Sequence, residues 1–339
     1  MHHPIQSQRR RALCVVVALM LCALASLLFA GMTGSIALPL TEMPDALRQL
    51  ARGESSLAAS LLELRAGRAL TAFVTGAALA LAGVMMQALL RNPLADPFVL
   101  GISAGASAGA LLALLLMASA IVVDMAALAG AVAVSMLLYL LARRDLRGGL
   151  ALEGGTSMLL LTGVILSSAC MALVTLMLSI APEGRLRSMI FWMIGDLAGA
   201  PLRFAPWLVL GAAMVYALRS ARAMNVVALH AEAAATLGIQ VGSLRKGLFF
   251  VSGMLTASAV TSAGSVGFVG LIVPHACRFA FGPDHRVLIP AAVLTGGSFL
   301  VLCDTLSRTV IAPQQLPVGA ITAIIGAPVF LYQLHRLRS

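Results

Sequence analysis

The chain has 339 residues, of which 60% are hydrophobic and only 11% charged, and its mean hydropathy is +0.99. Soluble domains carry about a quarter charged residues, so this composition excludes an ordinary water-soluble fold; the short charged clusters between long apolar runs are those of a chain solvated by hydrocarbon. The net charge of +10 comes from 23 basic and 13 acidic residues, and the basic ones sit at the ends of apolar runs rather than along one polar face, which argues against nucleic-acid binding and for a membrane topology signal.

In chain order, the first apolar run covers about residues 12–31, behind Arg9, Arg10 and Arg11. It is long for a signal peptide and no clear small-residue cleavage site follows, so a retained helix is expected. A bilayer core needs roughly 20 apolar residues of helix. Nine further spans then follow at about 68–90, 98–117, 121–142, 157–180, 204–219, 247–263, 266–281, 287–305 and 317–334. The run 247–281 is too long for one helix, and Gly264, Gly267 and Gly270 mark its turn. The expectation is an all-α, polytopic membrane protein of about ten spans in one domain, residues 1–339, with both termini in the cytoplasm. That orientation places fifteen basic residues inside and eight outside, in the sense of the positive-inside rule.

Small residues recur at helix-packing spacing, in the row Gly101, Gly105, Gly109 and in Gly76 with Ala80. In lipid such rows let backbones approach closely, and they say nothing about cargo. The five cysteines form no C-x-x-C pair and read as small buried hydrophobes. His275 and His285 have no partner at ligand spacing, so no metal site is expected and the methionines read as packing.

The polar segment between the second and third spans runs Gln87-Ala88-Leu89-Leu90-Arg91-Asn92-Pro93-Leu94-Ala95-Asp96-Pro97. Pro93 and Pro97 force non-helical backbone, and Arg91, Asn92 and Asp96 offer groups that cap the flanking helices. From the residues alone this is a rigid structural turn.

With the stretch that continues through Leu100-Gly101-Ile102-Ser103-Ala104-Gly105-Ala106, this block resembles the signature of the FecCD-type ABC importer permeases, the family that carries iron–siderophore, haem and vitamin B12 chelates. Two more blocks extend the resemblance. One is Gly267-Phe268-Val269-Gly270-Leu271-Ile272-Val273-Pro274-His275 with Arg278, Asp284-His285-Arg286 and Pro290. The other is Leu316-Pro317-Val318-Gly319 through Thr322 to Gly326-Ala327-Pro328. The resemblance covers nearly the whole chain. It implies a homodimer in a bacterial inner membrane, two ABC ATPase subunits in the cytoplasm, a periplasmic substrate-binding protein, and no cofactor held by this chain. ATP and Mg belong to the partner ATPase. The sequence agrees: the only lysine, Lys246, does not stand in a P-loop motif, so the chain is not expected to be an enzyme.

The resemblance also assigns roles. Ala228, Leu229, His230, Ala231, Glu232, Ala233, Ala234, Ala235, Thr236, Leu237 and Gly238 form an alanine-rich stretch ended by glycine, a cytoplasmic connector helix by propensity. It is similar to the coupling segment that such permeases insert into their ATPase. Arg65, Arg68 and Arg308 correspond to the outer arginines that receive glutamates of the binding protein, although the family's proline is missing from Arg65-Ala66-Gly67-Arg68. As ordinary helix-end arginines they have a local alternative, since Asp304 lies four residues before Arg308. Thr156 and Ser157 correspond to the cytoplasmic gate, and as plain residues they read equally well as a helix N-cap. Gln315 stands where glutamate is common, and Asp196 where a small neutral residue is. The competing reading is a secondary transporter or channel not coupled to ATP, which ordinarily places charge at mid-membrane; here Asp124 and Asp304 lie near predicted span ends.

Overall fold

In the computed structural model, which describes residues 3–36, 39, 41–54, 56–147, 155–229, 234 and 236–338, the described chain is helical, with twelve α-helices and no strand. They are α1 His3–Met32, α2 Met43–Arg52, α3 Leu57–Leu90, α4 Ile102–Leu115, α5 Ala120–Arg147, α6 Gly155–Ile180, α7 Glu183–Ile194, α8 Ala205–Leu229, α9 Val241–Ala263, α10 Val269–Phe281, α11 His285–Thr309 and α12 Val318–Arg338. A 3₁₀ turn, Pro97–Leu100, precedes α4.

The ten predicted spans fall on α1, α3–α6 and α8–α12. Five of these (α1, α3, α5, α6 and α11) are long and apolar enough to cross a membrane, and α4, α10 and α12 are shorter apolar helices. Two helices were not expected. Helix α2 is short and polar on average; Pro44 starts it and Gly53 ends it in the left-handed region, donating to the carbonyls of Gln49 and Leu50. Helix α7 lies between the sixth and eighth helices and carries Arg185, whose Nη1 donates to the Leu114 carbonyl at the end of α4.

Helix α3 is the axis of the bundle. Its apolar stretch is almost wholly buried, whereas that of α1 is mostly exposed, and it packs against α1, α2, α8, α9, α10 and α11. A second layer is built from α4, α5 and α6, which pack on one another. Close approach is set by hydrogen in place of a side chain. A Cβ on Gly83 would lie 1.9 Å from the Gly270 carbonyl oxygen, and one on Gly76 would lie 2.2 Å from that of Gly296. Helices α10 and α11 therefore meet α3 backbone to backbone. Gly105 and Gly109 do the same for α4 against α5, while Gly101, the first of that row, instead closes the 3₁₀ turn at φ 81°.

Two boundaries differ from the sequence reading and one agrees with it. The second span does not begin at 68: Ser56 caps Ala59 N–H at 3.1 Å and helix runs from Leu57. The third span is divided by Gly101. The turn between α9 and α10 falls where the glycines marked it, with Gly264 at φ 70°. Phe268, which precedes α10, also has positive φ, 71°, a conformation that costs a bulky residue on the order of 1–3 kcal/mol.

Candidate functional site

At one end of the bundle three arginines converge from two helices. Arg65 and Arg68 lie inside α3, one turn apart and therefore on one face. Gly67 stands between them, and the helix passes through both. Arg308 lies in the last turn of α11. Between them sits Asp304, 1% exposed. Arg68 grips its carboxylate with Nε at 3.0 and 3.1 Å and Nη2 at 2.8 Å. Arg308 Nε lies 3.2 Å from the Oδ2 of Asp304. The local pairing expected for Asp304 is present, and a partner 236 residues away shares it.

Arg65 and Arg308 also donate to the end of α1 and the residues just after it. Arg308 donates to the carbonyls of Ala30 at 3.3 Å and Thr33 at 3.4 Å, and Arg65 donates to Met32 at 3.3 Å and to Ile36. A helix leaves its last carbonyls without intrahelical partners, and cations suit that negative end. The cluster thus closes α1 while tying it to α3 and α11. Arg65 and Arg308 are 6% and 4% exposed. Arg68 reaches furthest toward water: its Nη1 donates to Gln315 Oε1 at 2.8 Å, and Gln315 is exposed.

The opposite end is joined mainly by amide side chains. Asn225 on α8 accepts from the His285 backbone N–H at 2.9 Å and meets its Nδ1 at 2.7 Å, and it donates to Asp284 at 2.7 Å. Since Asn225 Oδ1 can only accept, His285 carries its proton on Nδ1. Gln87 on α3 donates to the Leu271 carbonyl at 3.3 Å and accepts from Arg278 at 3.1 Å. No group of three or more potential metal-ligating residues is found among the described residues.

The segment read as a structural turn follows the end of α3. Arg91 takes a left-handed conformation at the end of α3, Asn92 Oδ1 accepts from Leu94 N–H at 2.9 Å, and Asp96 Oδ1 accepts from Phe98 N–H at 2.7 Å. Pro97 is buried, whereas Pro93 is exposed. Removal from water pushes the Asp96 carboxyl up to about 6, against the bond from Phe98 that lowers it.

Of the coupling segment, Ala228 and Leu229 end α8, while His230, Ala231, Glu232, Ala233 and Ala235 lie outside the described residues. Ala234 is fully buried and Leu237 is 69% exposed. Gly238 follows at φ 79°, and the Ala234 carbonyl accepts from Ile239 at 3.0 Å. Thr156 and Ser157 stand in the first turn of α6, with side chains outside the described residues.

The sequence reading had no signal for a further junction. The end of α7, the end of α9 and the start of α12 meet where Asp196 N–H donates to the Ala263 carbonyl at 2.9 Å and Gly319 N–H to that of Gly195 at 3.3 Å. Ser103 and Ser265 join beside it at 2.7 Å. These contacts are made mainly by backbone atoms, so side-chain pattern could not report them.

The model of the FecCD transport family matches residues 18–336. The chain belongs to the FecCD transport family. Within it, the Cobalamin import system permease protein BtuC of Halobacterium salinarum is 41% identical over 277 residues, covering 80% of this chain and 72% of that protein. The Vitamin B12 import system permease protein BtuC of Escherichia coli O9:H4 is 37% identical over 281 residues, covering 81% and 83%. Among solved structures, an inward-facing metal-chelate type ABC transporter matches with a TM-score of 0.82 at 28% identity, covering 95% of this chain and 99% of that one. PsaBC from Streptococcus pneumoniae shares the fold alone, with a TM-score of 0.57 at 16% identity and coverage of 86% and 94%.

Proposed function

We propose that this chain, as a homodimer in a bacterial inner membrane, forms the path by which a cobalamin-type chelate enters the cytoplasm. The chain is the membrane subunit of an ABC importer of the FecCD family. The observation that carries the choice of cargo is the 41% and 37% identity, across four-fifths of the chain, to permeases named for cobalamin and vitamin B12. Iron–siderophore and haem are the other cargoes of the family, and selectivity among them is assigned to the binding protein.

In this reading the end that holds Arg65, Arg68 and Arg308 faces the periplasm. Three guanidiniums gather there around a single carboxylate, Asp304, which Arg68 and Arg308 share; the excess positive charge favours an acidic partner, and Arg68 beside Gln315 is the member placed to exchange one acceptor for a glutamate of the binding protein. The inner face holds the stretch 228–238, where exposed Leu237 beside the left-handed Gly238 suits insertion into an ATPase groove. Thr156 and Ser157 form the gate at the start of α6. ATP and Mg are handled by the two partner ATPases, and the cargo's metal travels inside its chelate. Alternating access then follows as a shift between two conformations driven by the partners.

The test is reconstitution in liposomes with the cognate ATPase and binding protein, offering labelled cyanocobalamin, a ferric siderophore and haem. Accumulation of cyanocobalamin that requires ATP and both partners is expected. Preference for the siderophore or haem would replace the cargo, and uptake without the ATPase would remove the ABC mechanism.

A further inference from the structure

A cavity of about 580 Å³ opens between α5, α8 and α9. Its walls are apolar along nearly their whole length. The hydroxyls of Ser135, Thr261 and Ser262 donate back to carbonyls of their own helices, so they offer no donor to an occupant. On α5 the lining runs from Asp124 to Met136, about 18 Å at 1.5 Å per residue. One leaflet of a bilayer has roughly 15 Å of hydrocarbon, so the groove is one acyl chain deep.

The two ends of the groove differ. At one end Arg203, just before α8, pairs with Asp124 in the first turns of α5. About a third of the Arg203 side chain and a fifth of the Asp124 side chain stay exposed, and both line the cavity. At the other end an aromatic group closes the floor: Phe250 lies 4.9 Å from Tyr139 and 5.2 Å from Phe249 between ring centroids. In a bilayer, a groove of this length would put the charged pair near the headgroups and the aromatic stop near the midplane.

We propose that the groove binds a zwitterionic phospholipid, phosphatidylethanolamine, with an acyl chain along α5 and α9. Its phosphate meets Arg203 and its ammonium meets Asp124. An anionic lipid without an amine satisfies Arg203 and leaves its negative charge beside Asp124, so the pair selects for a headgroup carrying both signs. The inference rests on the chain being embedded in a bilayer and is independent of its cargo.

The experiment is native mass spectrometry of the delipidated protein, titrated with phosphatidylethanolamine and, separately, phosphatidylglycerol. The wild type is expected to bind the first about tenfold more tightly. Asp124→Asn is expected to reverse that preference, and Leu128→Trp, which narrows the groove, to weaken both lipids; thermal unfolding identifies any variant that fails to fold. Equal affinity for the two lipids, or binding unchanged in both variants, overturns the proposal. So does protection of the groove by a second copy of the chain, read from a cysteine placed at Met254 that cross-links between copies.

Discussion

The two ends of the bundle are held by different chemistry. At the arginine end, α1, α3 and α11 are tied through one buried carboxylate, Asp304, and two guanidiniums that also close the open carbonyls of α1. At the other end, α8, α11, α3 and α10 are tied by the amides of Asn225 and Gln87. A buried charge network tolerates no missing member, since each loss strands an ion in a medium that cannot solvate it. An amide bridge is neutral and loses only its hydrogen bonds. The first end is therefore the costlier to open, and the second is the one whose contacts can be exchanged at low cost.

Asp304→Asn tests the contrast most directly. It leaves buried Arg308 and partly buried Arg68 without their counter-ion, and a loss of about 3–5 kcal/mol is expected, read as a large fall in Tm in detergent or nanodiscs. A Tm close to wild type would mean that water enters the cluster. Asn225→Ala should have a smaller effect, about 1–3 kcal/mol, because it strands the backbone N–H and Nδ1–H of His285 without a charge being left alone. If it proves as damaging as Asp304→Asn, the two ends do not differ in kind. The smallest effect belongs to Asp96. Its folded carboxyl titrates near 6 and its ordinary value is 3.8, so the fold favours the protonated form. Stability should be greatest below pH 4 and decline as pH rises through about 6. Asp96→Asn should flatten that dependence with a change under about 1 kcal/mol at pH 5, since water reaches part of the residue.

Much of this was legible in the residues. Hydropathy located the spans because a bilayer imposes one length on every crossing, and Gly264 marked a turn because only its backbone freedom allows the chain to reverse there. The turn at Pro93–Pro97 could be read from proline stereochemistry. What escaped notice has a common cause. A hydropathy window ends where charge begins, so it started the second span at 68 and left Arg65 outside, although the helix begins eleven residues earlier, at Leu57. It passed over α2 and α7 for the same reason. Asp304 had a visible neighbour in Arg308 at helical spacing, but its link to Arg68 depends on how α3 and α11 pack, which no local pattern encodes. Gln315 was noted as a departure from the family, and only the structure shows that its amide oxygen receives Arg68.

Helix α3 has a consequence of its own. It is one uninterrupted rod of 34 residues, about 51 Å long, against a hydrocarbon core of about 30 Å. It carries Arg65 and Arg68 in its first half and Gln87 in its last turn. The arginine cluster and Gln87 are thus joined by one continuous helix, and the glycines that let α10 and α11 touch it lie between them.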